Sequence, residues 1–311
     1  MTSSSYLALL VFAHYRTQPS DLQHMLDDNH VRIYTLQFKQ QILAAVLVNE
    51  EGGFDRALST QIYRGERRPT GHLLAQTLTF HAGCEHASTL RYARVMRIAV
   101  HPRLQGNGLG SYLLNEVIAH EQQQDVDAIG TSFGATLELL RFWQHAGFDL
   151  VRLGFTRDHA SGTHSAVMLK PLNEKGEKVF QETRTRFQRG LDEWLREPLN
   201  DLPGEMQAYL HTEQQPANGQ LTEMDWQDIN SFIHTHRGYE ACIGALRRLV
   251  IANKEVPEKL DATAQTLIRS RIEQRNSWTE TIRQAGMSGK AQALQQLRLA
   301  IEKIVKNLTT K

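Results

Sequence analysis

The stretch Arg97-Ile-Ala-Val-His-Pro-Arg-Leu-Gln-Gly-Asn-Gly-Leu-Gly-Ser111 decides how the rest of the chain is read. It begins as an apolar strand, stops at His101-Pro102, and passes through Gly106, Gly108 and Gly110 into an amphipathic helix expected over 109–121. Glycines at alternate positions let the backbone approach a ligand closely and turn its N–H groups inward. The helix that follows adds a partial positive charge of roughly half a unit at its N-terminus. A loop so built suits a pyrophosphate.

Working outward, the residues up to 172 alternate strand-like runs with helical ones. Strands are expected at 31–38, 42–48, 95–100, 128–133, 148–153 and 166–172, each short, β-branched or aromatic, and bounded by turn residues. Helices are expected at 20–26, 55–63, 71–81, 109–121 and 136–145. Beyond 173 the pattern is helical, at 176–195, 222–234, 239–250, 262–284 and 289–308, with a loop at 198–219 that holds Pro203, Pro216 and Gly219. The expected architecture is therefore an α/β domain over 1–172 followed by an all-α domain over 173–311.

Composition agrees with a soluble globular chain of two domains: 311 residues, 41% hydrophobic and 22% charged. No apolar run approaches the roughly 20 residues of a membrane-spanning helix, so no membrane partner is expected. The stretch 7–13 has neither the basic flank nor the cleavage pattern of a signal peptide. Two cysteines, Cys84 and Cys242, are too few for a disulfide framework and fit a cytoplasmic protein. The formal net charge is only +1, but it is unevenly spread: 0 over 1–172, −6 over 173–236 and +7 over 237–311. The basic end is either a solvated helical face or a phosphate-contacting surface.

Three loop types compete for the glycine segment. A P-loop needs a lysine after its last glycine, and none is present. A dinucleotide fingerprint needs Gly-x-Gly-x-x-Gly, and here the third glycine comes one position early. Gln105-Gly-Asn-Gly-Leu-Gly110 instead resembles the Gln/Arg-x-x-Gly-x-Gly/Ala pyrophosphate loop of the GNAT acetyltransferases, and Leu139-Leu-Arg-Phe-Trp-Gln-His-Ala-Gly-Phe148 resembles their downstream helix with its aromatic pair and Gly-Phe ending. The segments 13–23, 67–76 and 157–163 narrow the likeness to the tRNA(Met) cytidine acetyltransferases, the TmcA-like family, over about 7–172 and more weakly beyond. Bacterial members carry an ATP-dependent, helicase-like module ahead of this part. Here no Walker motif occurs, so the chain is expected to be a fragment or a short relative that uses no ATP.

The resemblance implies a GNAT sheet, mixed and mostly antiparallel with helices on both faces, and a helical end that helps bind tRNA. It implies acetyl-CoA as acetyl donor, with Ile98, Ala99 and Val100 offering backbone groups to the pantetheine arm and Gln105, Gly106, Asn107, Gly108, Leu109, Gly110 and Ser111 holding the pyrophosphate. Glu138 and Arg141 either contact the same ligand or pair with each other. The implied reaction is direct transfer to a tRNA nucleoside amine, N4 of a wobble cytidine, or to another acceptor; a non-catalytic RNA-binding module is the reading of a different class.

His14, with an imidazole suited to taking a proton near neutral pH, is the candidate base, against an ordinary hydrogen-bonded role. Many GNAT enzymes carry a tyrosine acid where this chain has Trp143, and an indole cannot act as one. Arg67 and Arg68, with Arg64, Arg91 and Arg94, are candidates for an RNA-facing rim or a solvated surface. Arg247, Arg248, Arg269, Arg271 and Arg275, with Arg283, are the phosphate-contact candidates of the helical end. Trp226 and Trp278 read as packing rather than base-stacking residues. His81, Cys84 and His86 offer three zinc donors but no fourth, so no metal is expected.

Overall fold

A computed structural model describes residues 30–215, 219–253, 255 and 260–309. The described residues form two compact units, 30–63 with 67–184 and 64–66 with 185–309. The helix expected at 20–26 lies outside the described residues.

The first unit is built on a six-stranded mixed sheet in the order β1-β2-β3-β4-β6-β5. Strands β1 (Val31–Phe38) and β2 (Gln41–Gly52) form a hairpin whose two connecting residues, Lys39 and Gln40, both have positive φ, 45° and 64°. That geometry matches the twist of the flanking strands. In β2 every side chain from Ala44 to Asn49 is buried. Successive side chains point to opposite faces, so both faces of this strand are covered. Helix α1 (Arg56–Arg64) and helix α2 (Leu73–Gln76), which runs on into a π-helical turn at Thr77–His81, precede β3 (Arg91–Val100). Then come α3 (Leu109–Gln122), β4 (Ala128–Gly134), α4 (Leu137–His145), β5 (Asp149–Arg157) and β6 (His164–Pro171). All six expected strands are present. Only β3 and β4 run parallel; every other neighbouring pair is antiparallel.

Two features of this sheet set up the site. Leu47 pairs with Arg97 and Val48 with Val95, so Met96 is an extra residue, a β-bulge that bends β3. The parallel pairing of β3 with β4 runs only from Tyr92–Ala128 to Val95–Thr131. Beyond it the strands part, although β3 stays paired with β2 as far as Val100 and β4 with β6 as far as Gly134. Helix α3 is tied to β1 through Glu121, which is fully buried and accepts from Arg32 Nη2 at 2.7 Å and Tyr34 Oη at 2.6 Å.

The second unit is helical. It holds the C-terminal part of α5 (Glu174–Arg196), then α6 (Gly204–Glu213), α7 (Glu223–His234), α8 (Tyr239–Ala252), α9 (Ala262–Leu267), α10 (Trp278–Gln284) and α11 (Lys290–Thr309). Its core gathers Ile229, Phe232, Tyr239, Leu246, Leu267, Ile301 and others. Thr222 caps α7 reciprocally with Asp225, a capping box. Two expectations need correction. The loop at 198–219 contains α6, which buries Met206 and Leu210; Pro203 precedes this helix as its N-cap residue rather than breaking it. The single helix at 262–284 is two helices. After a π-helical turn at Ile268–Glu273, Arg275 adopts a positive φ of 57°, and Ser277 caps α10 by accepting from Glu280 N–H at 3.2 Å.

Candidate functional site: the strand split and its glycine loop

At the end of β3 the chain turns through Pro102–Leu104, where His101 Nδ1 accepts from the Arg103 N–H at 3.3 Å. Two side chains brace the loop from within. The Gln105 amide donates to the Val100 carbonyl at 3.2 Å, and the Asn107 amide donates to the carbonyls of Leu104 and Gln105, both at 3.2 Å. Gly106 and Gly108 have φ of 78° and 76°, the left-handed region that a side chain strains, and among the described residues nothing lies within 4 Å of where a Cβ would stand. Gly108 is also the N-cap of α3, whose first turn carries no acidic residue. The loop therefore presents an open surface of backbone at a helix N-terminus whose first N–H groups have no intrahelical acceptor. Gly110 serves differently: a Cβ there would meet Val100 Cγ2 at 3.2 Å, so its absence lets α3 sit close against β3.

The strand split lies directly upstream of this loop. The last backbone register between the parallel strands is Val95 with Thr131, and the Thr131 hydroxyl donates to the Val95 carbonyl at 3.2 Å, closing the apex. From Met96 to Val100, the stretch holding Ile98, Ala99 and Val100, the edge of β3 that faced β4 has no strand partner among the described residues. Such an edge is a row of donors and acceptors ready for an extended ligand.

Helix α4 flanks the mouth: Phe142 Cε2 lies 3.9 Å from the position of a Cβ on Gly110. Thr136 caps α4, and Trp143 is buried in an aromatic cluster, stacked on Phe133 and edge-on to Phe142 and Phe148 at 5.3 and 5.0 Å. Glu138 and Arg141 are exposed, and no ion pair joins them among the described residues. His14 lies outside the described residues.

The arginines divide sharply. Arg67 and Arg68 are exposed, Arg68 standing over the Phe80 ring at 5.8 Å. Arg91 instead pairs with Glu50 and Asp125, each at 2.7 Å, and Arg94 with the buried Glu51, which also caps α2 by accepting from the Leu74 N–H at 2.6 Å. Burial disfavours the Glu50 carboxylate, but hydrogen bonds from Arg91 and Arg32 prevail and hold it below the usual range.

In the helical unit four of the five candidate arginines are tied internally. Arg247 pairs with Glu193 at 3.0 Å, Arg248 with Asp225 at 2.5 Å, Arg271 with Glu197 at 2.6 Å and Arg275 with Glu193 at 3.0 Å. Arg271 also stands over the rings of Tyr239 and Trp278, at 4.5 and 5.1 Å, so Trp278 is a packing residue. Arg269 is the exposed member. These pairs join the acidic connector to the basic end, and the partners fall too far apart in sequence for any local pattern to reveal them.

The profile of the family described as GNAT acetyltransferase 2 matches residues 5–124 and 113–173, and that of a tRNA-binding domain matches 176–311. The tRNA(Met) cytidine acetyltransferase TmcA of Nitrosococcus halophilus is 38% identical over 308 residues, covering 98% of this chain and 41% of that protein. The protein of the same name from Haemophilus influenzae is 38% identical over 252 residues, covering 80% of this chain and 36% of its own length. The chain thus spans about two-fifths of the length of these curated relatives. With the bulged, split sheet, the glycine loop and the family match over its first half, this chain belongs to the GNAT acetyltransferase 2 family, its GNAT domain followed by a tRNA-binding domain.

Proposed function

We propose that this protein transfers the acetyl group of acetyl-CoA to an amine of a tRNA nucleoside, N4 of a wobble cytidine being the acceptor that its relatives' name suggests. The observation that carries the proposal is the strand split with the glycine loop at its mouth. An extended pantetheine arm fits the unpartnered edge of β3 at Ile98–Val100, and the N–H groups from Gln105 to Ser111 suit the pyrophosphate. Glu138 and Arg141, exposed on α4, are free to meet the same ligand.

In this reading the acceptor amine attacks the thioester carbonyl, an oxyanion forms, and the carbon–sulfur bond breaks to release the CoA thiolate. Backbone N–H groups at the split stabilise the oxyanion. His14 takes the proton that the amine loses as the new bond forms. Trp143, locked in its aromatic cluster, offers no acid, so the thiolate leaves as the anion or is protonated by water. No step draws on ATP. Arg67, Arg68 and Arg269 are the exposed candidates for RNA phosphate, whereas Arg247, Arg248, Arg271 and Arg275 shape the surface from within. The working divide between the catalytic and tRNA-binding parts is 172/173, and the proposed setting is the cytoplasm, consistent with the lack of any described helix long and apolar enough to cross a membrane.

Incubation with acetyl-CoA and bulk tRNA, followed by mass spectrometry of the nucleosides, tests the proposal. N4-acetylcytidine is the expected product. Acetylation of a different nucleoside would redirect the acceptor, and tRNA left unmodified with and without ATP would overturn the activity.

A further inference from the structure

Cys84, His86 and Glu182 take no part in the site described above. Cys84 and His86 lie on the turn between the π-helical turn Thr77–His81 and the short helix Ala87–Thr89, while Glu182 comes from α5, far along the chain. The turn is held firmly: the Cys84 N–H donates to Leu78 O at 3.1 Å, the Ala87 N–H to Cys84 O at 3.0 Å and the Ser88 N–H to Thr79 Oγ1 at 2.9 Å. Helix α5 packs on the same cluster, where Val179 and Phe180 join Cys84 in one core.

The sulfur lies 3.8 Å from His86 Nε2 and 3.9 Å from Nδ1, and the same Nε2 lies 3.9 Å from Glu182 Oε2. One donor atom from each residue falls within 4.8 Å of the other two. Zinc–sulfur bonds of about 2.3 Å and zinc–nitrogen or zinc–oxygen bonds of about 2.0–2.1 Å set tetrahedral edges of roughly 3.3–3.6 Å. Closing onto a metal therefore takes small side-chain movements. The alternative use of these groups, a thiol–imidazole–carboxylate relay, needs sulfur and carboxylate at opposite ring nitrogens and an accessible thiol. Here the sulfur lies as close to Nε2, the nitrogen beside the carboxylate, as to Nδ1, and Cys84 is fully buried.

We propose that Cys84, His86 and Glu182 bind a divalent cation of the zinc class, with water at the fourth position, and so pin this turn to α5. The His86 side chain is 47% exposed, so solvent reaches the cluster. Thiolate, imidazole and carboxylate form a mixed donor set that suits zinc, and the thiol proton leaves to solvent as the metal binds. The sequence alone argues against a metal, because His81, Cys84 and His86 lack a fourth donor. The fold brings a carboxylate from another element in place of His81, and water would complete the set as the fourth ligand.

The full chain, stripped with a chelator and dialysed, should be titrated with Co²⁺ and followed by absorption. Only two cysteines exist, and Cys242 is buried in the other unit with its thiol pushed up to about 12 by burial, so a thiolate-to-cobalt charge-transfer band reports on Cys84. The expected result is a band saturating at one equivalent and bleached by Zn²⁺, lost in Cys84→Ala and kept in Cys242→Ala. Glu182→Gln, on a half-buried residue, should retain the fold and weaken binding at least tenfold. No charge-transfer band in the parent chain, its survival in Cys84→Ala, or unchanged affinity in Glu182→Gln would each overturn the site. Acetyl transfer is not read, so the result stands apart from the activity proposed above.

Discussion

The strand split with its glycine loop and the helical unit use polar groups in opposite ways. At the strand split and glycine loop the binding capacity is backbone, left open because β3 and β4 part beyond Val95 and because Gly106 and Gly108 carry no side chain. In the helical unit the polar capacity is side chain, and much of it is spent internally, in the buried and half-buried pairs that link Arg247, Arg248, Arg271 and Arg275 to Glu193, Glu197 and Asp225. A neutral stretch of sequence thus leaves backbone donors open, while a strongly basic stretch hides most of its candidate cations. Net charge describes supply; burial and pairing decide what a ligand meets.

Substitution at Gly108 attacks the first region where it has least tolerance. Aspartate there takes a left-handed conformation that costs about 1–3 kcal/mol and sets a negative charge at the mouth of the anion site. Acetyl-CoA binding, measured by calorimetry, should fall by at least about 100-fold with little change in the stability of the helical unit. Retained affinity would break the assignment of the loop.

Arg271→Ala probes the second region and should act in the other direction. Both partners of the Arg271–Glu197 pair are only 8% exposed, so truncation leaves a buried carboxylate with only its longer contact to Arg275 Nε, at 3.9 Å, and costs about 3 kcal/mol. Burial already holds Glu197 above the usual carboxylate range, against the pull of Arg271. The variant should lose thermal stability by that amount, and adding Glu197→Leu should restore much of it. Loss of tRNA affinity with an unchanged melting curve would instead make Arg271 a phosphate contact.

The same contrast governs how much was legible in the sequence. The six strands and the glycine loop could be read because β-branched runs, turn residues and Gly-x-Gly-x-Gly are local patterns. The split itself could not, since it depends on which strands are neighbours and where their pairing stops; the Met96 bulge and the Thr131 bond at the apex have no local signature. The break within 262–284 did carry one: Ser277 three residues before Glu280 is a capping pattern that the apolar periodicity across it masked. Pro203 marked a start as well as a stop. The arginine pairs were illegible because each joins elements distant in the chain.

Acid should act on the helical unit more mildly. Burial disfavours the Asp225 carboxylate, but hydrogen bonds from Arg248 and Thr222 prevail and hold it below the usual range. A depressed folded value means the stabilisation is fully present above the unfolded value of about 3.9 and is lost as pH falls through the folded one. The melting temperature of the helical unit should therefore stay level down to about pH 5 and decline below about pH 4. Asp225→Asn should flatten that decline while lowering stability at neutral pH; a decline equally steep in the variant would remove Asp225 as its source.

The smallest effect is expected at Arg269, and it isolates what the helical unit still offers to RNA. Unlike Arg247, Arg248, Arg271 and Arg275, this side chain is exposed, so its removal should leave the melting curve unchanged. If it meets a phosphate, Arg269→Ala should weaken tRNA binding several-fold at low salt and reduce the slope of log affinity against log salt by about one. A point change is the sharper tool here than deleting 237–311, which would remove Tyr239, Leu246, Leu267, Ile301 and the rest of the core on which Ile229 and Phe232 pack. An unchanged slope in Arg269→Ala, beside a reduced one in Arg67→Ala or Arg68→Ala, would move the phosphate contacts to the exposed arginines of the first unit and leave the helical domain to recognise RNA by other groups.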